Sequence, residues 1–191
     1  MERPWHWLKK VMALLVLAGI FALAGLSAAS TNISDLMSTF GVKPVGPGLK
    51  APDFTLRDIS GKTVSLKDFK GKLILLNFWA TWCTPCRWEM PEMQALYQVY
   101  KDQGFVIVAV SLDKEAEAVA RFVKEARLTY PILLDSDFQA ARAYRVPGPP
   151  TTFLIGPEGD VKGIVLGPKP WGGQEAQRLI AQLLAEAQRK R

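Results

Sequence analysis

Cysteine and histidine are almost missing from this chain: two of the first, Cys83 and Cys86, and one of the second, His6, in 191 residues. A structural zinc site needs four Cys, His or acidic ligands, usually with a second cysteine pair, and the lone histidine lies far from the pair. Covalent haem attachment wants histidine directly after the second cysteine, where this chain has Arg87. No cysteine directly follows the apolar run near the N-terminus, so a lipid-carrying one is excluded there. No metal or other cofactor is expected. Internal repeats are absent, and so is any basic stripe interleaved with aromatics, which argues against nucleic acid as a partner. The formal charge of +6 is modest. Part of it precedes the apolar run, and part is the tail Arg189-Lys190-Arg191, where cations suit a helix C-terminus.

What is present starts with that run, Val11 to Ala29, uncharged and preceded by Arg3, Lys9 and Lys10. It is long enough to cross a bilayer. Ser27-Ala28-Ala29 would suit signal cleavage, but the apolar stretch exceeds the about 7 to 15 residues usual in signal peptides. Length therefore favours an uncleaved membrane anchor, residues 1–29, over a cleaved signal peptide. Either reading puts the remainder outside the cytoplasm. Residues 30–50 turn to Ser, Thr, Gly and Pro and read as a tether and entry loop. One domain, residues 51–191, follows, and with 49% of the chain apolar it can build a proper core.

Within that domain, Phe54 to Leu56 and Thr63 to Leu66 alternate around Ser60-Gly61-Lys62, as a small hairpin would. "KLILLNFWA", Lys72 to Ala80, and "FVIVAVSL", Phe105 to Leu112, are near-continuously apolar and suit strands covered on both faces. Helices are expected after the cysteines, with Met93, Leu96, Tyr97 and Tyr100 inward and a kink at Pro91. Further helices are expected at Glu115 to Arg127, Asp137 to Tyr144 and Gln174 to Gln188. Short strands are expected at Pro131 to Leu134, Thr151 to Ile155 and Val161 to Leu166. Strands and helices in alternation, closed by a hairpin, imply an α/β fold with a mixed central sheet and helices on both faces.

Cys83 ends "NFWATWC", where a buried strand gives way to a helix, and Cys86 follows three residues on. As a staple the pair would close a loop of two residues, and the stabilisation from cross-linking grows with loop length. A redox couple fits better. Cys83 would lie at the helix N-terminus, where free N–H groups and the macrodipole favour a thiolate. It would be the exposed attacking sulfur, and the more buried Cys86 would resolve the mixed disulfide. Thr84-Pro85 keeps the first turn tight without losing a needed donor. Cys86, Glu89, Met93, Leu96 and Tyr100 project along one stripe, so the Glu89 carboxyl shares the inward face, where its pKa should rise and it could exchange protons with a cysteine. The alternative is a solvated Glu answering the helix dipole. Trp79 reads as core, Trp82 as apolar rim near Cys83, and Arg87 and Trp88 as an outer helix face.

"NFWATWCTPC", with "PPTTFLI" much later, resembles the thioredoxin superfamily, and more narrowly its ResA/TlpA-type membrane-tethered, extracytoplasmic thiol-disulfide oxidoreductases. The resemblance spans about Ala51 to Gln188 and implies a thioredoxin fold with an inserted strand and helix. It implies a proton-handling role for Glu89, and it places Asn77, which cannot titrate, where thioredoxin has a buried aspartate. It also implies a cis-proline at Pro150, packed against the cysteines. The residue before it would pair with substrate backbone, yet here that residue is Pro149, which offers a C=O but no N–H. Trp82, Thr84, Pro85, Pro149 and Pro150 form the expected substrate contact. The implied substrates are exported proteins with disulfides, including the CxxCH cysteines of apocytochromes c, and the implied electron donor is a membrane thiol-transferring protein.

Other functions stay open at this point. "APDFTLRDISGK" also resembles peroxiredoxins, but their peroxidatic cysteine follows a threonine by three positions, where Ala80 precedes Cys83. A copper-delivering protein would need wider cysteine spacing and a histidine in the domain. A disulfide-forming oxidant and a chaperone with an idle disulfide remain. With no charge or histidine between the cysteines, nothing drives Cys83 to an extreme pKa, which favours a reductant.

Overall fold

The computed structural model describes residues 32–189. The apolar run expected to anchor the chain lies outside them. Among the described residues no helix is long and apolar enough to cross a membrane. In chain order the elements are α1 (Ile33–Phe40), β1 (Lys43–Pro44), β2 (Thr55–Asp58), β3 (Thr63–Ser65), β4 (Leu73–Trp79), α2 (Thr84–Tyr100), β5 (Phe105–Ser111), α3 (Ala116–Glu125), β6 (Ile132–Leu134), α4 (Gln139–Ala143), β7 (Thr151–Ile155), β8 (Val161–Leu166) and α5 (Gln174–Arg189). The strands form one mixed sheet in the order β1-β8-β7-β4-β5-β6-β2-β3.

Strands β4 and β5 pair in parallel and every residue of both is buried. Because successive side chains point to opposite faces, full burial requires cover on both. On one face, Asn77 meets Glu89 of α2 and Trp79 packs on Phe122 of α3. On the other, Phe78 packs on Tyr144, directly after α4, and on Phe153 of β7. The mixed sheet with helices on both faces is the architecture that the alternating elements imply. Helix α2 runs unbroken through Pro91, which sits on its exposed side.

The expected tether is in part folded structure. Within residues 30–50, Asn32 caps α1 by accepting from the Ser34 amide at 3.2 Å. Gly41 ends the helix in the left-handed region at φ 78°, with its own amide on Ser38 and the Val42 amide on Met37, a glycine C-cap that a side chain would strain. Strand β1 then pairs antiparallel with β8, Pro44 opposite Gly163. A Cβ at Gly163 would run into the side chains of Val42 and Met37, so glycine there lets the α1–β1 strap lie on the sheet. Phe40 and Val42 join the core, so α1 and β1, ahead of Ala51, pack on the same body as the rest.

Candidate active site

At the end of β4 the chain turns through Ala80-Thr81-Trp82 into α2. Asp113, just after β5, fixes that turn: its carboxylate accepts from the Thr81 amide at 2.9 Å, the Thr81 hydroxyl at 2.6 Å and the Ser111 hydroxyl at 2.7 Å. Nothing in the sequence pattern singles Asp113 out, because Thr81, in the turn after β4, is brought beside it only by the parallel pairing of β4 with β5. Cys83 is the N-cap of α2, and its sulfur accepts from the Cys86 amide at 3.3 Å. Proline in the first turn removes no needed donor. The two cysteines are joined in a disulfide, with Cα atoms 5.3 Å apart.

Cys86 is fully buried and Cys83 is 6% exposed. The order matches expectation, but Cys83 is far more covered than the exposed sulfur expected from the sequence. Around it, Trp82 and Trp88 are 65% and 72% exposed, Thr84 is exposed and Pro85 half-buried. The Arg87 guanidinium lies 5.7 Å above the Phe122 ring, and Trp79 is core.

One turn beyond Cys86, Glu89 is buried, as the stripe on α2 predicts. Burial pushes its carboxyl from an ordinary 4.5 up to about 7, and the Glu92 charge adds to the rise, against hydrogen bonds that favour the ionised form. Those bonds come from three places. Asn77 Nδ2 reaches Oε1 at 3.1 Å. The Lys169 amide and Trp171 Nε1 both reach Oε2 at 3.1 Å. Asn77 Nδ2 also donates to the Thr152 hydroxyl at 3.0 Å, which leaves Asn77 Oδ1 buried without a partner. A flip of this amide would turn Oδ1 toward Glu89 and accept from its protonated form. Lys169 and Trp171 were missed in the sequence because they lie in a Gly- and Pro-rich loop with no periodicity.

The Pro149–Pro150 peptide bond is cis. Pro150 is buried and Pro149 half-buried. The Thr151 hydroxyl donates to Gly148 C=O at 2.6 Å, and Pro150 C=O accepts from the Gly167 amide at 3.0 Å. Since Thr151 stands opposite Phe78 in the β4–β7 register, this loop and the cysteine turn share one end of the sheet. The structure thus gathers Cys83, Cys86, Glu89 and Pro150, expected to act together, at the same end of the fold.

Residues 47–164 match the AhpC/TSA family. The thiol-disulfide oxidoreductase ResA of Bacillus subtilis (strain 168) is 46% identical over 127 residues, covering 66% of this chain and 71% of that protein. Its counterpart in Oceanobacillus iheyensis is 41% identical over 161 residues, 82% of this chain and 78% of that one. A thiol:disulfide interchange protein of the thioredoxin family from Chlorobium tepidum TLS is similar in structure, with a TM-score of 0.65 and 28% identity over 73% of this chain and 99% of the other. With a cysteine pair capping a helix at the end of a thioredoxin-type sheet, the chain belongs to the AhpC/TSA family and, within it, to the ResA-type thiol-disulfide oxidoreductases.

Proposed function

We propose that the protein reduces disulfides of exported proteins, including the CxxCH cysteines of apocytochromes c, from outside the cytoplasm, with residues 1–29 as its membrane anchor. The observation that carries this reading is the pairing of a helix-capping cysteine couple with a buried carboxyl that ionises near neutral pH on the same inward helix face. In the reduced protein, the Cys83 thiolate attacks a substrate sulfur. A Cys83–substrate bond forms and the other substrate sulfur leaves as thiolate. Cys86 gives its proton to the Glu89 carboxylate and attacks Cys83, forming the intramolecular disulfide and releasing the second substrate thiolate. Two electrons pass to the substrate, and a membrane thiol-transferring protein restores them. Trp82, Thr84, Pro85, Pro149 and Pro150 form the docking rim. Pro149, without an N–H, pairs through its C=O alone.

The test mixes the reduced full chain, in detergent, with a peptide holding an oxidised Cys-x-x-Cys-His disulfide. The expected result is stoichiometric reduction of the peptide with oxidation of Cys83 and Cys86. Oxidation of the reduced peptide by the oxidised protein as the favoured direction would reverse the assignment. Turnover of hydrogen peroxide in its place would support a peroxidase, for which Ala80 lacks the needed hydroxyl.

A further inference from the structure

The Glu89 carboxyl is reached from a segment far from it in sequence. The loop after β8, "GPKPWGG", lies along α2 and is bonded to it at two carboxylates. Lys169 N and Trp171 Nε1 donate to Glu89 Oε2, each at 3.1 Å, and Gly172 N donates to Glu92 Oε2 at 3.3 Å. The loop is braced internally by Gly173 N on Pro170 C=O at 3.0 Å. Trp171 is fully buried. Its ring lies 4.9 Å from that of Phe40, the last residue of α1, and the Lys169 ammonium sits 6.0 Å from the Phe40 centroid.

We infer that Trp171, packed against Phe40 of α1, is a positioning residue that sets how readily Glu89 releases its proton, so that α1 reaches the redox site through Phe40. This rests on the proton-transfer role proposed for Glu89. An indole N–H can only donate, so it stabilises the carboxylate and gives nothing to the acid. One other group acts in the same sense, the Lys169 backbone N–H on the same Oε2 at 3.1 Å, and Trp171 is the only side chain that adds to it as a pure donor. Asn77 is neutral, and its amide can turn to suit either form. Glu92, on the same helix, opposes ionisation. Tyr130, before β6, spends its hydroxyl on Met90 C=O at 3.3 Å and is held protonated by burial. The Lys169 side chain is directed to Phe40, and only its backbone N–H serves the carboxyl. The cysteine pair is a neutral disulfide when oxidised.

The test follows the Glu89 side-chain carboxyl by carbon-13 NMR in the oxidised full chain, in detergent, across pH, beside the indole N–H resonance of Trp171. Trp171→Phe keeps a ring against Phe40 and removes the donor. Its Glu89 midpoint is expected to rise by about one pH unit, a tenfold change in the acid constant, as the loss of a bond to a charged group implies. Phe40→Ala should move it the same way by less. In the unsubstituted protein the Trp171 indole resonance should titrate with the Glu89 midpoint, a reading that stands even where Trp171→Phe does not fold. An indole resonance constant across pH, or an unchanged Glu89 midpoint in a folded Trp171→Phe, overturns the inference and marks Trp171 as packing only. The readout is distinct from the role of Glu89. If Glu89→Gln leaves exchange rates untouched, the catalytic reading fails whether or not the indole titrates.

Discussion

With Cys86 replaced by serine, the reduced protein is expected to stall on its substrate as a covalent mixed disulfide at Cys83. Cys83 keeps its place at the cap of α2, where the amide of residue 86 still donates to its sulfur, so attack proceeds. Release does not, because the serine hydroxyl cannot displace a thiolate. A well-placed intramolecular group acts at an effective concentration of about 10^5 M or more, far above any free thiol, so turnover should fall by at least about 1000-fold. Intact mass analysis should show an adduct that dithiothreitol removes. Cys83→Ser should form no adduct. An adduct through Cys86 in the Cys83→Ser variant, with none in Cys86→Ser, would invert the two roles, contrary to the complete burial of Cys86.

Glu89→Gln is expected to change both rate and stability, in opposite senses. Without a base beside it, the resolving step should slow by about 100-fold near neutral pH and lose the pH dependence that Glu89 imposes. Stability should gain. The folded protein holds the Glu89 proton up to about pH 7, while the unfolded chain releases it near 4.5. This contribution is fully present below pH 4.5 and is lost as pH rises through about 7, at a total of about 3 kcal/mol. Glutamine carries no such loss. It can face the Lys169 and Trp171 donors with its oxygen, while the unpartnered Asn77 Oδ1 turns to accept from its amide. Urea unfolding of the oxidised protein should therefore show Glu89→Gln more stable than the parent at about pH 8 and close to it near pH 4. Equal differences at both pH values would mean that Glu89 titrates at its ordinary value in the fold.

Local pattern and fold agree most closely where burial leaves a continuous trace. "LILLNFW" and "FVIVAVS" announce the two central strands because strands covered on both faces hold few polar residues, and the two exceptions serve the site: Asn77 bonds Glu89, and Ser111 bonds Asp113 beside the cysteine turn. Glu89 was legible for the same reason: a carboxyl on an apolar helical stripe has to be buried with partners. Its partners were not legible, since Lys169 and Trp171 come from a loop whose backbone follows tertiary contacts rather than any period. Helix α1 was hidden by the Ser, Thr and Gly around it, although Asn32 and Gly41 are the cap residues that a short helix needs.

The most direct test of the account is the reduction potential of the Cys83–Cys86 pair in the detergent-solubilised full chain, equilibrated against thiol buffers at pH 7 and followed by tryptophan fluorescence. The account predicts one reversible two-electron transition at about −270 mV or below, the range of thioredoxin-like reductants. A potential near about −120 mV, that of a strong disulfide-forming oxidant, would contradict the reductant assignment, and the absence of any reversible transition would contradict the redox couple itself.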